Sequence, residues 1–129
     1  MRYLLDTHVL IWHAENQQLN QDILDIINEP TNTILVSHAT LWEMTIKVSI
    51  GKLKLNFPIA DFSKLLISNQ FLILPFDFQY YEILSQLPFH HQDPFDRMLI
   101  AQAIVENIPI ITHDAKFELY NVTVIDVSI

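Results

Sequence analysis

Apolar positions along this chain follow two alternating rhythms. Short runs rich in branched aliphatics, YLLD (3–6), TILVS (33–37), FLILP (71–75), IPIIT (108–112) and VTVIDV (122–127), have Pro, Asn or Thr near their ends and predict β-strands. Between them, HVLIWHAEN (8–16), NQDILDIINE (20–29), HATLWEMTIKVSIGK (38–52), PIADFSKLLISN (58–69), FQYYEILSQL (78–87) and DPFDRMLIAQAIVEN (93–107) carry apolar residues at helical spacing. Strands alternating with helices imply an α/β fold: a central, mostly parallel sheet of about five strands with helices on both faces, joined by right-handed crossovers. No internal repeat or low-complexity tract interrupts the pattern, and residues 1–129 read as a single domain.

Composition narrows what this fold can do. Half of the residues are hydrophobic and 17% are charged, the balance of a chain that folds compactly. With no cysteine, disulfides, thiolate metal sites and a cysteine nucleophile are excluded. The single glycine, Gly51, rules out a glycine-rich phosphate loop. No apolar run reaches the roughly 18–20 residues that a membrane helix needs, and Asp6 interrupts the first segment where a signal peptide would be continuous. The expected location is therefore the cytoplasm, without a membrane partner. A formal charge of −8 argues against nucleic-acid binding through a broad basic surface, so any such binding must be local. One local candidate is residues 44–64, where Lys47, Lys52, Lys54 and Lys64 face only Asp61, a net of +3. A solvated lysine segment is the competing reading of that stretch.

In open α/β sheets the ligand site lies beyond the carboxyl ends of the strands, where strand order reverses. Asp6 ends the first predicted strand, and Asp114 follows the fourth by one histidine. Glu43 lies about two turns into the helix after TILVS, and Asp96 lies in the first turn of the helix opened by DPFD. Four acids from four distant segments can thus converge on one place. Gathered carboxylates repel one another unless a cation sits among them, and oxygen-only ligands select a hard ion, Mg²⁺ or Mn²⁺. Such ions orient and activate water and stabilise charge on a scissile phosphate, so the chemistry indicated is phosphodiester hydrolysis.

Neighbouring residues divide between site and scaffold. Asp93 precedes Pro94 and reads first as a helix cap. His90 and His91 are adjacent, so their side chains diverge, and loop hydrogen bonding or substrate contact suits them better than zinc ligation. Lys47 follows Glu43 by four residues on the same helix face, where a phosphate contact or a salt bridge to Glu43 would both suit it. Arg97 has two readings, a phosphate or Glu43 partner and an ordinary surface salt bridge. His113 is placed to reach an RNA phosphate or to lie solvated in a loop. Trp12, Trp42 and the aromatics of FQYYEILSQL read first as packing or dimer contacts.

Taken together, YLLDTHVLIW, VSHATLWEMTIK, GKLKL, HHQDPFDRMLIAQA and ITHDAKFELY resemble the successive motifs of the PIN domain, in particular the VapC-type toxins of toxin–antitoxin modules. The resemblance runs nearly from end to end and implies a three-layer α/β/α PIN-like fold. It implies that Asp6, Glu43, Asp96 and Asp114 bind Mg²⁺ or Mn²⁺ and act in catalysis, with Asp6 and Asp96 as core ligands. Thr7 and Ser37 would donate hydrogen bonds to the site or to phosphate, although Ser37 equally suits an N-cap. Lys47, Arg97 and His113 complete the expected substrate contacts. The implied activity is a metal-dependent endoribonuclease that restrains growth, held in check by a cognate antitoxin protein, of Phd type in the branch that DPFDR resembles, with a homodimer common. The rival reading is a catalytically inert PIN-fold module that binds RNA or protein. A receiver domain needs paired acids near the first strand, and a haloacid-dehalogenase phosphatase needs a second aspartate two residues after Asp6; the chain has neither.

Overall fold

The structure is a computed structural model and describes residues 1–17 and 19–127. Five strands, β1 (Arg2–Leu5), β2 (Thr33–Ser37), β3 (Leu72–Leu74), β4 (Ile110–Thr112) and β5 (Val124–Asp126), form one sheet in the order β3-β2-β1-β4-β5. Every neighbouring pair is parallel, with Leu4 opposite both Leu35 and Ile110. The helices are α1 (Thr7–Ala14), α2 (Gln21–Asn28), α3 (His38–Ser49), α4 (Phe62–Ser68), α5 (Phe78–Gln86) and α6 (Pro94–Glu106). All the strands and helices expected from the apolar pattern are present. The pattern did not disclose a 3-10 turn at Ile59–Asp61, just ahead of α4, or a 3-10 helix at Ala115–Leu119.

Strand alternation divides the core into two layers. Leu4, Leu35 and Ile110 point to one side and pack with Tyr80 of α5 and Met98, Leu99 and Ala103 of α6. Leu5, Ile34, Val36 and Ile111 point to the other and pack with Val9 and Leu10 of α1, Ile23 and Ile27 of α2 and Leu66 of α4. Where both faces are covered, as over most of β1, β2 and β4, the strands become short apolar runs, which is why they stand out in the sequence. The arrangement is a three-layer α/β/α sandwich. α6 is its central helix, buried without interruption from Arg97 to Ala103.

The ends of α6 follow from local chemistry. Asp93 caps its start by accepting the N–H groups of Phe95 and Asp96, with Pro94 at the first helical position. At its other end Asn107 takes up the left-handed conformation, φ 54 and ψ 51, and its N–H returns to Ala103 and Ile104 carbonyls. A residue with a Cβ and no polar side chain is disfavoured there. Asn107→Ala is expected to cost about 1 kcal/mol, and Asn107→Gly to cost nothing comparable. Thermal melts of the two variants side by side check this.

The chain runs outward from β1 through β2 to β3 and then crosses to β4 and β5 on the other side. Strand order thus reverses between β1 and β4. The crevice at the carboxyl ends of that pair receives whatever follows Leu5 and Thr112.

Candidate metal centre

Asp6 is the first residue beyond β1 and is 2% exposed, with Oδ1 accepting the Thr7 N–H at 2.6 Å. Its Oδ2 accepts the hydroxyl of Thr112, the last residue of β4, at 2.6 Å. Burial pushes the Asp6 carboxyl above the usual carboxylate range, against these hydrogen bonds and the imidazoles of His8 and His113. Thr112 also accepts the Asp114 N–H at 3.0 Å, so one hydroxyl links two of the expected acids. Sequence reasoning missed Thr112. Its signal is a threonine two residues before an aspartate at a strand end, a turn-forming spacing.

Glu43 reaches the crevice from α3, whose start is fixed by Ser37. The Ser37 hydroxyl oxygen accepts the Ala39 N–H at 3.0 Å and the residue is fully buried. Of the two roles expected for Ser37, the structure has the N-cap. Glu43 itself is 2% exposed. Thr7 donates its hydroxyl to Oε1 at 2.7 Å and lies 3.1 Å from Thr40 Oγ1, while Lys47 binds Oε2 at 2.7 Å. Of the two partners expected for Lys47, the structure has the salt bridge. That hydrogen bond, outweighing partial burial, raises the Lys47 pKa and keeps the ammonium charged.

Asp96, in the first turn of α6, is displaced in the same direction as Asp6. Burial pushes its carboxyl up to about 8, reinforced by the charges of Asp6, Asp93, Glu43 and Asp114. Asp114 moves the other way: burial would raise it, but hydrogen bonds from the Lys116 N–H and His91 carry it below the ordinary value.

Between Asp96 and Asp114 stands His91, with Nε2 3.0 Å from Asp96 Oδ2 and 2.8 Å from Asp114 Oδ2. The adjacent histidines do diverge. His90 is exposed and meets the edge of Tyr120, whereas His91 is buried. At the mouth of the crevice His113 is exposed, its Nδ1 3.9 Å from Asp6 Oδ2, and its ring meets those of His8 and Trp12 edge-on.

Arg97 corrects the expectation of a phosphate contact or a surface ion pair. It is 6% exposed and faces away from Asp96. One guanidinium nitrogen donates to the Pro88 and His91 carbonyls and the other to those of Leu84 and Leu87. Phe89 covers the group, with its ring centroid 4.0 Å from Cζ. The reason is the helical register: residue 97 points to α5 and the loop after it when residue 96 points to the crevice.

The donor set suits a hard divalent cation. Asp6 and Glu43 are buried, Asp96 and Asp114 are half-buried, and the charges of the other three act on Asp96; the one ammonium bonded to these acids among the described residues is Lys47, held at Glu43. An acid raised to about 8 by burial, with four like-charged neighbours adding to the rise, is the mark of a cluster short of positive charge. Oxygen donors of this kind favour hard cations over softer ones.

Comparison with known proteins fits this geometry. The chain matches the PIN domain over residues 3–122. It is similar in structure to a chain of VapBC2 from Rickettsia felis bound to a DNA fragment from its promoter, at 24% identity, 98% coverage of both chains and a TM-score of 0.73. It is likewise similar to a chain of DNA-bound VapBC from Salmonella typhimurium, at 20% identity, 98% coverage of both chains and a TM-score of 0.75. A third likeness is to VapBC-5 from Mycobacterium tuberculosis, a member of the VapBC family of toxin–antitoxin systems, at 23% identity, 98% coverage of both and a TM-score of 0.64. No curated protein sequence matches. At such identities these likenesses concern the fold.

Proposed function

The chain belongs to the PIN domain family, and from that membership we propose that it is a metal-dependent endoribonuclease, the VapC-type toxin of a type II toxin–antitoxin pair. The observation that carries the reading is the convergence of Asp6, Glu43, Asp96 and Asp114 at the point where strand order reverses, with Asp96 driven up to about 8. Asp6 and Asp96 would hold Mg²⁺ or Mn²⁺, with Glu43 and Asp114 as further ligands, directly or through water. Bound there, the cation would supply Lewis-acid stabilisation of phosphate charge and lower the pKa of water.

The protein's own groups have separate tasks. Thr112 and the Thr7 N–H fix the Asp6 carboxylate, and Thr7 and Lys47 fix Glu43 from two sides. Glu43 is then placed to accept a proton from the attacking water, with Lys47 holding its carboxylate in register. His113 and Trp12, at the rim, offer an imidazole N–H and an aromatic edge to the phosphate and base of a single strand.

The apolar surface beside the site suits protein partners. Trp42, Phe76, Tyr81, Leu84, Phe95 and Met98 line a groove, and Phe78 next to it is 87% exposed. Of the FQYYEILSQL aromatics only Tyr80 is core, so the packing expected for the others is left to a partner. We assign this surface to a second copy of the chain and to a cognate antitoxin, of Phd type in the branch that DPFDR resembles. No helix among the described residues is long and apolar enough to cross a membrane.

The experiment is cleavage of total cellular RNA with Mn²⁺ or Mg²⁺, the new ends mapped, against chelator and Asp6→Asn controls. Cuts that need the metal and vanish in both controls are expected. Absence of cuts from folded, antitoxin-free protein would replace this reading with a binding module.

A further inference from the structure

We infer that His91 is a positioning residue of the acidic cluster, its Nε2–H forked between Asp96 and Asp114 so as to set both carboxylates for the cation. The inference rests on the metal-centre reading above and goes beyond its four acids. It starts from the loop that delivers the ring. Arg97 binds the carbonyls of Pro88 and His91, and the Tyr120 hydroxyl accepts the His91 N–H at 2.8 Å while donating to the Pro88 carbonyl at 2.7 Å. Phe117 meets the imidazole edge-on, with centroids 5.7 Å apart. Backbone and ring are therefore both held.

The hydrogen-bond network also assigns the tautomer. The Asp93 N–H points to Nδ1 at 3.2 Å, so that nitrogen is the acceptor and the neutral ring carries its hydrogen on Nε2. That hydrogen meets Asp114 Oδ2 at 2.8 Å and Asp96 Oδ2 at 3.0 Å. Asp93 thus does two jobs: its side chain starts α6 and its N–H aims the imidazole that faces Asp96.

The donor atoms of His91, Asp96 and Asp114 lie within 4.8 Å of one another, close enough for a cation shared by all three. The wiring decides against ligation by the imidazole. The lone pair of Nδ1 is occupied by Asp93, and Nε2 presents a hydrogen. Each carboxylate oxygen keeps a second lone pair, so orientation by His91 and ligation of a cation are compatible. Partners that orient ligands in this way typically contribute about 10–100-fold to metal affinity.

The test is Mn²⁺ affinity of the full chain, read from the paramagnetic resonance of the free aquo ion, with thermal melts confirming folding. His91→Ala is expected to bind Mn²⁺ about 10–100-fold more weakly than wild type. His91→Gln keeps an N–H at about the reach of Nε2 and is expected to recover most of the loss. A purely structural histidine would give no such rescue. Unchanged affinity in folded His91→Ala overturns the inference, and so does His91→Gln as weak as His91→Ala, which would make the imidazole a ligand. Wild-type protein that fails to bind Mn²⁺ overturns the metal centre itself, a separate result from either.

Discussion

Asp96→Asn is expected to melt higher than the wild-type protein at pH 8 in chelator, and to have no metal-dependent RNA cleavage. The folded Asp96 carboxyl titrates at about 8 against an ordinary 3.8, with burial as the first cause and Asp6, Asp93, Glu43 and Asp114 following. Its pKa is raised on folding, so between about 4 and about 8 the folded chain holds a proton that the unfolded chain has released. Stability of the metal-free protein therefore falls as pH rises through that window. Asparagine keeps the shape and discards the charge, which removes the repulsion and leaves little difference between mutant and wild type near pH 4.

A gain on the order of 1–2 kcal/mol, or about 5 °C in a domain of this size, is expected at pH 8. Added Mn²⁺ should reverse the ranking, because a ligand that binds only the folded state raises the wild-type melting temperature and leaves the mutant where it was. Melts at pH 4 and 8, with chelator and with Mn²⁺, give all four comparisons. A mutant no more stable than wild type at pH 8, or one that still cleaves, would remove Asp96 from the centre as described. The trade is physical: carboxylates crowded for a cation are a liability without it.

How much of this can be read from the chain depends on the distance over which each feature is determined. The strands are readable because two buried faces make β1, β2 and β4 continuous aliphatic runs, and α6 because DP opens it and Asn107 ends it. Asp6 and Asp114 are placed together by one topological rule, that ligand sites lie where strand order reverses, once β1 and β4 are taken as neighbours. Glu43 follows because the helix after β2 begins at that same edge, and Asp96 because α6, which leads directly into β4, starts at the edge where β4 ends.

What the chain does not disclose is set by loop conformation. The direction of the His91 ring depends on contacts with Tyr120, Phe117 and Arg97, which are far apart or on another face, and the sequence says only that His90 and His91 point apart. Arg97 is the sharper case. An arginine beside an acid of the candidate site suggests phosphate binding, and only the packing of α5 against α6 shows four carbonyls waiting for it.

That difference yields a second large effect. Arg97→Met is expected to destabilise the protein by about 3 kcal/mol or more, since it strips buried donors from the carbonyls of Leu84, Leu87, Pro88 and His91 together. Against the 5–15 kcal/mol typical of a domain, that is a large fraction of the total. Arg97→Lys should fall between, because an ammonium has the charge but not the planar fork that serves four oxygens, nor the flat face that lies against Phe89.

Urea midpoints measure the loss, and RNA binding by an Asp6→Asn background at several salt concentrations separates the two roles. A phosphate-binding arginine would leave the urea midpoint in place and reduce the salt slope by about 1 when replaced by methionine. A scaffold arginine lowers the midpoint and leaves the slope unchanged wherever the protein is folded. The second pattern is expected, and with it weaker Mn²⁺ binding, because the loop that Arg97 holds is the one that brings His91 between Asp96 and Asp114. An unchanged midpoint with a reduced slope would return Arg97 to the RNA surface and require loop 88–91 to be held by other contacts.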